Sequence, residues 1–175
     1  METSLSLVIV LRLVHILTGV CWAGAVVFIA AFLLPAMKAA GPAASPVMAH
    51  LTQVMKLPAV LLKWGLLTVA SGLALFWRDA TLAPGWMQSG PGRTFSLGAA
   101  LGIIVVVTGM TVNLPTARRL GALAEEVRAS GGVPSAAQAA EMQRLQERLA
   151  RAMSAAAALL LAAAAAMAVA RHVPP

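Results

Sequence analysis

The sequence is poor in charged residues and in cysteine, and each scarcity excludes a class of protein. Only 11% of its 175 residues are charged, while 60% are hydrophobic. Soluble domains are roughly a quarter charged and about half apolar, so we predict an integral membrane protein. The one cysteine, Cys21, excludes an internal disulfide and every metal or iron–sulfur motif that needs several cysteines.

Acidic residues are missing from the long apolar runs. These runs span residues 5–34, 57–77, 95–112 and 153–170, and none contains Asp or Glu. The absence disfavours a carboxylate-based proton pump and a retaining glycosidase, which needs two carboxylates. The sequence also lacks a nucleophile–base motif, a phosphate-binding loop and a dinucleotide fingerprint. Whether the protein is an enzyme stays open, and the pattern leans towards one that is not.

Each apolar run approaches or exceeds the roughly 20 residues that span a bilayer. We therefore predict a single all-α domain over residues 1–175, built as a four-helix transmembrane bundle. No basic segment precedes the first run, which is also too long for a signal peptide, so its helix is expected to stay as an anchor. Gly98 and Gly102 form a small-residue motif that favours close helix contact.

The connection over residues 116–151 is charged but strongly helical. Two apolar stripes run along it at helical spacing: Leu120, Leu123 and Val127, then Met142, Leu145 and Leu149. Gly131-Gly132 is a helix stop, and Ser135 with Gln138 is a capping-box pattern. We predict an antiparallel hairpin that extends helices 3 and 4 into the cytoplasm.

Proline and glycine mark the other irregular places. Pro84-Gly85 and Gly90-Pro91-Gly92 predict a loop over residues 78–93. Pro58 is expected to kink the helix that contains it, and Asn113-Leu114-Pro115 to bend helix 3 where it leaves the lipid.

The basic residues predict the orientation. The third connection carries Arg118, Arg119, Arg128, Arg144, Arg148 and Arg151, and the first carries Lys38 and Lys56; the opposite side has Arg78, Arg93 and Arg171. By the positive-inside rule, both connections lie in the cytoplasm and both termini lie outside. Topology and anionic lipid thus account for the net charge of +7, and we predict no nucleic-acid partner.

Two ionisable side chains lie inside the first apolar run. Arg12 and His15 are three residues apart and share a helix face, which Gly19, Trp22 and Val26 continue. Ionisable groups in a membrane often mark ligand or proton sites, and an imidazole can ligate haem iron or copper. The alternative is that His15 only packs, with its ring bonded to a neighbouring helix. Arg12 either pairs with haem propionates or extends to the outer headgroups.

His172 follows Arg171 at the end of helix 4, on the same side of the membrane as His15. A bis-histidine haem or a metal site would need the two imidazoles to meet. By helix rise His172 lies about two turns nearer the surface, so the pair requires helix 4 to be displaced inwards.

The segment from Val14-His15 to Trp22-Ala23-Gly24 resembles the H-x6-W-x-G opening of the copper-resistance protein D-like family. The likeness extends loosely to small four-helix bacterial relatives of that group. It implies a bacterial inner-membrane protein in which His15 is the functional position, with Trp22 beside it at the cofactor site. A second likeness is to the haem-dependent protoporphyrinogen oxidases. However, Leu34-Pro35-Ala36 stands where those enzymes carry Pro-Arg.

Three functions follow from these observations. The first is binding of b-type haem or copper near the outer face, for redox chemistry, electron transport or metal handling. The second is a structural or accessory subunit of a membrane complex, and the third is a haem-dependent oxidase. The expected partners are the lipid bilayer and, through small-residue helix faces, a second copy or a membrane complex.

Overall fold

A computed structural model describes residues 2–174, and every regular element in that range is helical. The α-helices are α1 (Glu2–Phe28), α2 (Leu34–Ala40), α3 (Ser45–Ala49), α4 (Leu57–Leu82), α5 (Gly90–Thr108), α6 (Leu114–Ala129) and α7 (Ala136–Val169). Three π-helical segments, Ile29–Leu33, His50–Val54 and Gly109–Asn113, and three 3-10 turns, Gly41–Ala44, Trp86–Gln88 and Ala170–His172, lie between or after them.

Four continuous helical rods within the described range are long and apolar enough to cross a membrane. They are Leu5–Ala40, Leu57–Leu82, Gly90–Ala129 and Ala136–His172. The predicted all-helical fold with four potential membrane-spanning helices is confirmed. Large hydrophobic side chains such as Leu17, Val20 and Phe32 are exposed on the outward faces, as contact with lipid requires.

Two of these rods pass through a proline without ending. A proline inside a helix lacks an N–H donor, and its ring collides with the carbonyl four residues back. Just before Pro115 the backbone widens into a π turn, in which the Leu114 N–H bonds the Gly109 carbonyl five residues back. Pro35 follows a π segment in the same way. These local widenings let the rods continue into α2 and α6.

The turn between α4 and α5 is shorter than predicted. The loop expected over residues 78–93 is confined to residues 83–89, because α4 runs on to Leu82 and α5 already begins at Gly90. The early start of α5 is explained by a helix cap: the Ser89 hydroxyl accepts a hydrogen bond from the Gly92 N–H at 3.2 Å. Such a cap satisfies one of the free donors of the first turn.

The predicted kink at Pro58 is also wrong. Lys56 adopts a left-handed backbone with φ 50° and ends the preceding segment, so α4 starts at Leu57. Pro58 therefore lies in the first turn of α4. Its missing N–H costs nothing there, because first-turn donors have no partner within the helix.

The core is centred on α7, which packs against α1, α5 and α6. Its buried residues are Leu145, Met153, Ala156, Ala157, Leu160 and Ala163. Alanine lets the neighbouring backbones approach, and Gly98 of α5 does so from the other side. A Cβ on Gly98 would lie only 2.9 Å from the Met167 Cγ. The close contact predicted from the small residues is thus present at Gly98.

Helices α6 and α7 pack on each other beyond the bundle core. Leu123, Val127 and Leu145 are buried in their contact. Gly131 and Gly132, both with positive φ, end α6, and Ser135 and Gln138 form the predicted capping box that begins α7. Residues 116–151 are therefore a helical hairpin in structure.

Candidate functional site

The His15 ring lies between α1 and α4 and bonds the backbone of α4. Its Nδ1 lies 2.8 Å from the Thr68 carbonyl oxygen. A backbone carbonyl has two lone pairs, so it can accept this bond in addition to its helical one. The imidazole thus joins the first two spans of the bundle at a half-buried position.

Glycine at position 72 makes this bond sterically feasible. A Cβ on Gly72 would lie 2.7 Å from His15 Cε1 and 2.9 Å from Nδ1. Both are closer than a real Cβ approaches another atom. Gly72 stands four residues after Thr68, so its bare backbone leaves space for the ring beside the carbonyl.

The hydrogen bond fixes the tautomer of His15. A carbonyl oxygen only accepts, so Nδ1 must carry the proton and donate it. In the neutral ring the lone pair is then on Nε2. Among the described residues, no partner bonds Nε2. The ring is held through Nδ1, and the lone pair of Nε2 is left to coordinate a ligand.

Three hydroxyl groups surround this contact. Thr18 lies one turn after His15, and its Oγ1 is 2.8 Å from the Oγ1 of Thr68. Each of these hydroxyls also lies within bonding distance of a carbonyl on its own helix, 2.6 Å for Val14 and 2.8 Å for Trp64. Since each hydroxyl has one proton, one donates to its helix while the other donates across the interface.

Ser71 completes this polar cluster. Its hydroxyl is buried and lies 2.6 Å from the Leu67 carbonyl and 3.1 Å from that of Thr68. The cluster of His15, Thr18, Thr68 and Ser71 is therefore hydrogen-bonded within the two helices. We call these four residues the His15 cluster.

Trp22 and Arg12 take different positions along α1. Trp22 is buried and packs on α4 at Gly65, where a Cβ would lie 2.9 Å from its ring. It lies two turns from His15, in the apolar core, and holds α1 to α4. Arg12 is exposed, one turn before His15.

His172 lies in the 3-10 turn after α7, which packs on α5. Its side chain is exposed, like that of His50. The structure thus places His15 and His172 at contacts of different helices. Among residues 2–174, no group of three or more His, Cys, Asp and Glu side chains is close enough to hold a metal ion.

Sequence reasoning missed the α4 half of the His15 cluster. Thr68, Ser71 and Gly72 recur at helical spacing on one face of α4, which is a weak signal because Thr, Ser and Gly are common in membrane helices. Only the way α1 and α4 are aligned along their axes brings Thr68 to His15.

No protein-family model, curated protein or solved structure matches this chain. The likeness to the copper-resistance protein D-like family therefore stays a prediction from a short motif.

Proposed function

We propose that the protein binds b-type haem through Nε2 of His15. The observation that carries the proposal is the bond from Nδ1 to the Thr68 carbonyl. Histidines that ligate metals almost always donate their other ring N–H to a carbonyl, carboxylate or water, which fixes the tautomer and raises the basicity of the ligating nitrogen. His15 has this arrangement within a membrane helix.

Haem fits the site better than copper. A porphyrin supplies four ligands to its iron, so the protein needs to add only one axial group. A copper ion held by protein side chains needs several ligands, and among the described residues no such group surrounds His15. Arg12, exposed one turn away on the same helix, would bind a propionate by charge-assisted hydrogen bonds. When bound, the haem would supply one-electron redox chemistry.

Spectroscopy of the purified protein tests this proposal. Wild-type protein in mild detergent is titrated with haemin, and the Soret band and the pyridine haemochrome are recorded. Bound haem should be lost in His15→Ala and weakened in Arg12→Ala, because the first removes the iron ligand and the second a propionate partner. His50→Ala is the matched control, since His50 is exposed on another segment.

Imidazole added to His15→Gly should restore the Soret band, which separates loss of a ligand from loss of fold. A wild-type protein that takes up no haem contradicts the proposal. Binding that His15→Ala leaves unchanged contradicts it equally.

The second candidate is a structural or accessory subunit of a membrane complex. The observation that favours it is the internal satisfaction of the His15 cluster, whose hydroxyls and Nδ1 all have partners in α1 or α4. In that case His15→Ala lowers stability and changes no spectrum. Gly98 contacts α7 within the bundle, so a second copy or a partner subunit would have to use other helix faces.

Location and orientation belong to the same proposal. We place the protein in a bacterial inner membrane with both termini outside, because the Arg118-to-Arg151 hairpin carries six of the 13 Lys and Arg residues, more than any other connection. The hairpin then lies in the cytoplasm and the His15 cluster in the outer half of the membrane.

A further inference from the structure

We propose that the end of the bundle remote from His15 binds one anionic phospholipid, with an acyl chain in an interhelical cavity and the phosphate at Lys56 and Arg118. The inference is independent of haem binding, because neither the His15 cluster nor Arg12 lines the cavity or the groove. It rests on two adjacent hollows, one apolar and one lined by basic side chains, and on the left-handed backbone conformation of Lys56.

The first hollow is an apolar cavity of about 110 Å³. Its walls come from all four spans and include Ile29, Leu62, Val106, Gly109 and Met153. Cavities of similar size lined by aliphatic side chains stay dry and admit small apolar molecules; an engineered one of roughly 150 Å³ holds benzene. The cavity thus suits the end of a hydrocarbon chain.

The second hollow is a groove of about 420 Å³ beside the first. Thr52, Pro58, Leu114 and Ala117 line both, so a single molecule can extend from one into the other. Ligand sites measure roughly 300–1,000 Å³, and the groove is within that range. Its volume suits a headgroup that is larger than the chain end in the cavity.

The groove carries free positive charge. Lys56 and Arg118 line it from two different segments and are both exposed. Neither forms an ion pair with another described residue, whereas Glu125, the acidic residue of the groove, is paired with Arg128 at 2.7 Å. Two unpaired cations at the membrane surface attract an anionic headgroup, and basic pockets between spans bind lipid phosphates in this way.

The backbone at Lys56 points to the same role. Within residues 2–174 it is the one residue other than glycine with a positive φ, 50°. A side chain in this conformation is energetically unfavourable, and such residues concentrate at binding sites. Glycine would fit the turn without strain, yet the chain has lysine there, beside the groove.

Binding is measured by native mass spectrometry of the whole protein in neutral detergent. The probes are phosphatidylglycerol and phosphatidylcholine with the same acyl chains, and inorganic phosphate. We expect phosphatidylglycerol to bind more tightly than phosphatidylcholine, since only its headgroup has a net negative charge. Inorganic phosphate should compete weakly, because it lacks the chain. Equal binding of the two lipids, or full competition by phosphate, would overturn the proposal.

Charge variants test the headgroup site. Lys56→Gly with Arg118→Gln should weaken phosphatidylglycerol binding on the order of 30-fold, from about fivefold for each cation near the surface. Glycine suits the φ at position 56 and so preserves the turn. The matched control is Lys38→Gln with Arg148→Gln, two exposed cations outside the groove. An equal loss of phosphatidylglycerol binding in the control would mean that positive charge attracts the lipid diffusely and that the groove is not a specific site.

A cavity-filling variant tests the chain site. An added Cβ at Gly109 meets no atom within 4 Å, so Gly109→Leu should fill the cavity and weaken lipid binding. Gly24→Leu is the control, because position 24 is equally open but exposed on α1 and outside the cavity. Gly109→Ala covers the case in which leucine disrupts folding. Unchanged lipid binding in a folded Gly109 variant would exclude the cavity as the chain site.

Discussion

At the scale of single residues, the His15 ring fits closely against the backbone of α4. An imidazole in an apolar environment needs a partner, since burying an unpaired polar group costs a few kcal/mol. The Thr68 carbonyl supplies that partner at 2.8 Å. The bond depends on the absence of a side chain at position 72, so its energetic effect can be tested there.

Gly72→Ala should destabilise the protein by about 1–3 kcal/mol. The new Cβ would lie 2.7 Å from His15 Cε1, so the ring must move and its hydrogen bond is lost. Chemical unfolding in mixed micelles measures the change. In a His15→Ala background the same substitution should instead stabilise by about 0.5–1 kcal/mol, because alanine favours a helix over glycine. Destabilisation in both backgrounds would show that the ring is not the cause.

Asn113 presents the opposite case, a polar atom without a partner. Its Nδ2 lies 3.6 Å from the Met153 sulfur. A thioether only accepts, so the amide orientation is fixed, and Oδ1 is buried with no hydrogen-bond partner among the described residues. Such a buried acceptor typically costs about 1–3 kcal/mol.

Asn113→Leu should therefore raise the free energy of unfolding by about 1–2 kcal/mol, since it removes that acceptor and adds apolar contacts along the cavity. Unfolding in mixed micelles gives the value. Gln146→Leu, which changes an exposed amide on α7, is the control and should stay within about 0.5 kcal/mol of wild type. A less stable Asn113→Leu would mean that Oδ1 has a partner in the membrane.

At the scale of elements, the hairpin of α6 and α7 is held by apolar contacts outside the bundle core. Leu123 is 3% exposed and Leu145 is 5% exposed, whereas most of their neighbours face outward. The ion pairs on its surface, such as Arg128 with Glu125 at 2.7 Å, are exposed, and exposed pairs contribute little. Apolar packing of Leu123, Val127 and Leu145 is therefore what keeps the helices together.

Leu123→Asp should separate the hairpin, because it places an unpaired charge between the two helices. We expect limited proteolysis near Gly131-Gly132 to become several-fold faster. Ala124→Asp adds the same charge at an exposed neighbouring position and should leave the cleavage rate near that of wild type. Equal rates in both variants would show that the Leu123 contact does not hold the hairpin.

Some features of these elements could be predicted from the sequence and others could not. Hydropathy located the four spans, and Gly131-Gly132 with Ser135 located the hairpin turn, because each signal lies within one short segment. The predicted end of α4 and start of α5 were wrong. Gly90 and Pro91 suggest a loop in the sequence, whereas in the structure Ser89 caps a helix that begins with them. The partner of His15 depends on how α1 and α4 align along their axes, and no local pattern contains that information.

At the scale of the whole molecule, the two candidate sites lie at opposite ends of the bundle. The His15 cluster joins α1 to α4, and the lipid cavity begins at Trp22, about 10 Å farther along α1 by helix rise. The basic residues concentrate beyond the cavity. With those residues in the cytoplasm, the lipid site faces the inner leaflet and His15 the outer one.

Orientation can be measured directly with single cysteines. The native Cys21, which is exposed, is first replaced by alanine, and Gln88→Cys or Val133→Cys is then added. Both positions are exposed and lie in turns at opposite ends of the spans. Position 88 should react with a membrane-impermeant maleimide on intact cells, and position 133 only after the membrane is opened. The expected difference follows from the positive-inside rule, by which the arginines of the hairpin are predicted to lie on the cytoplasmic side. Labelling of position 133 in intact cells would contradict this orientation. The lipid site would then lie in the outer leaflet and His15 in the inner half of the membrane.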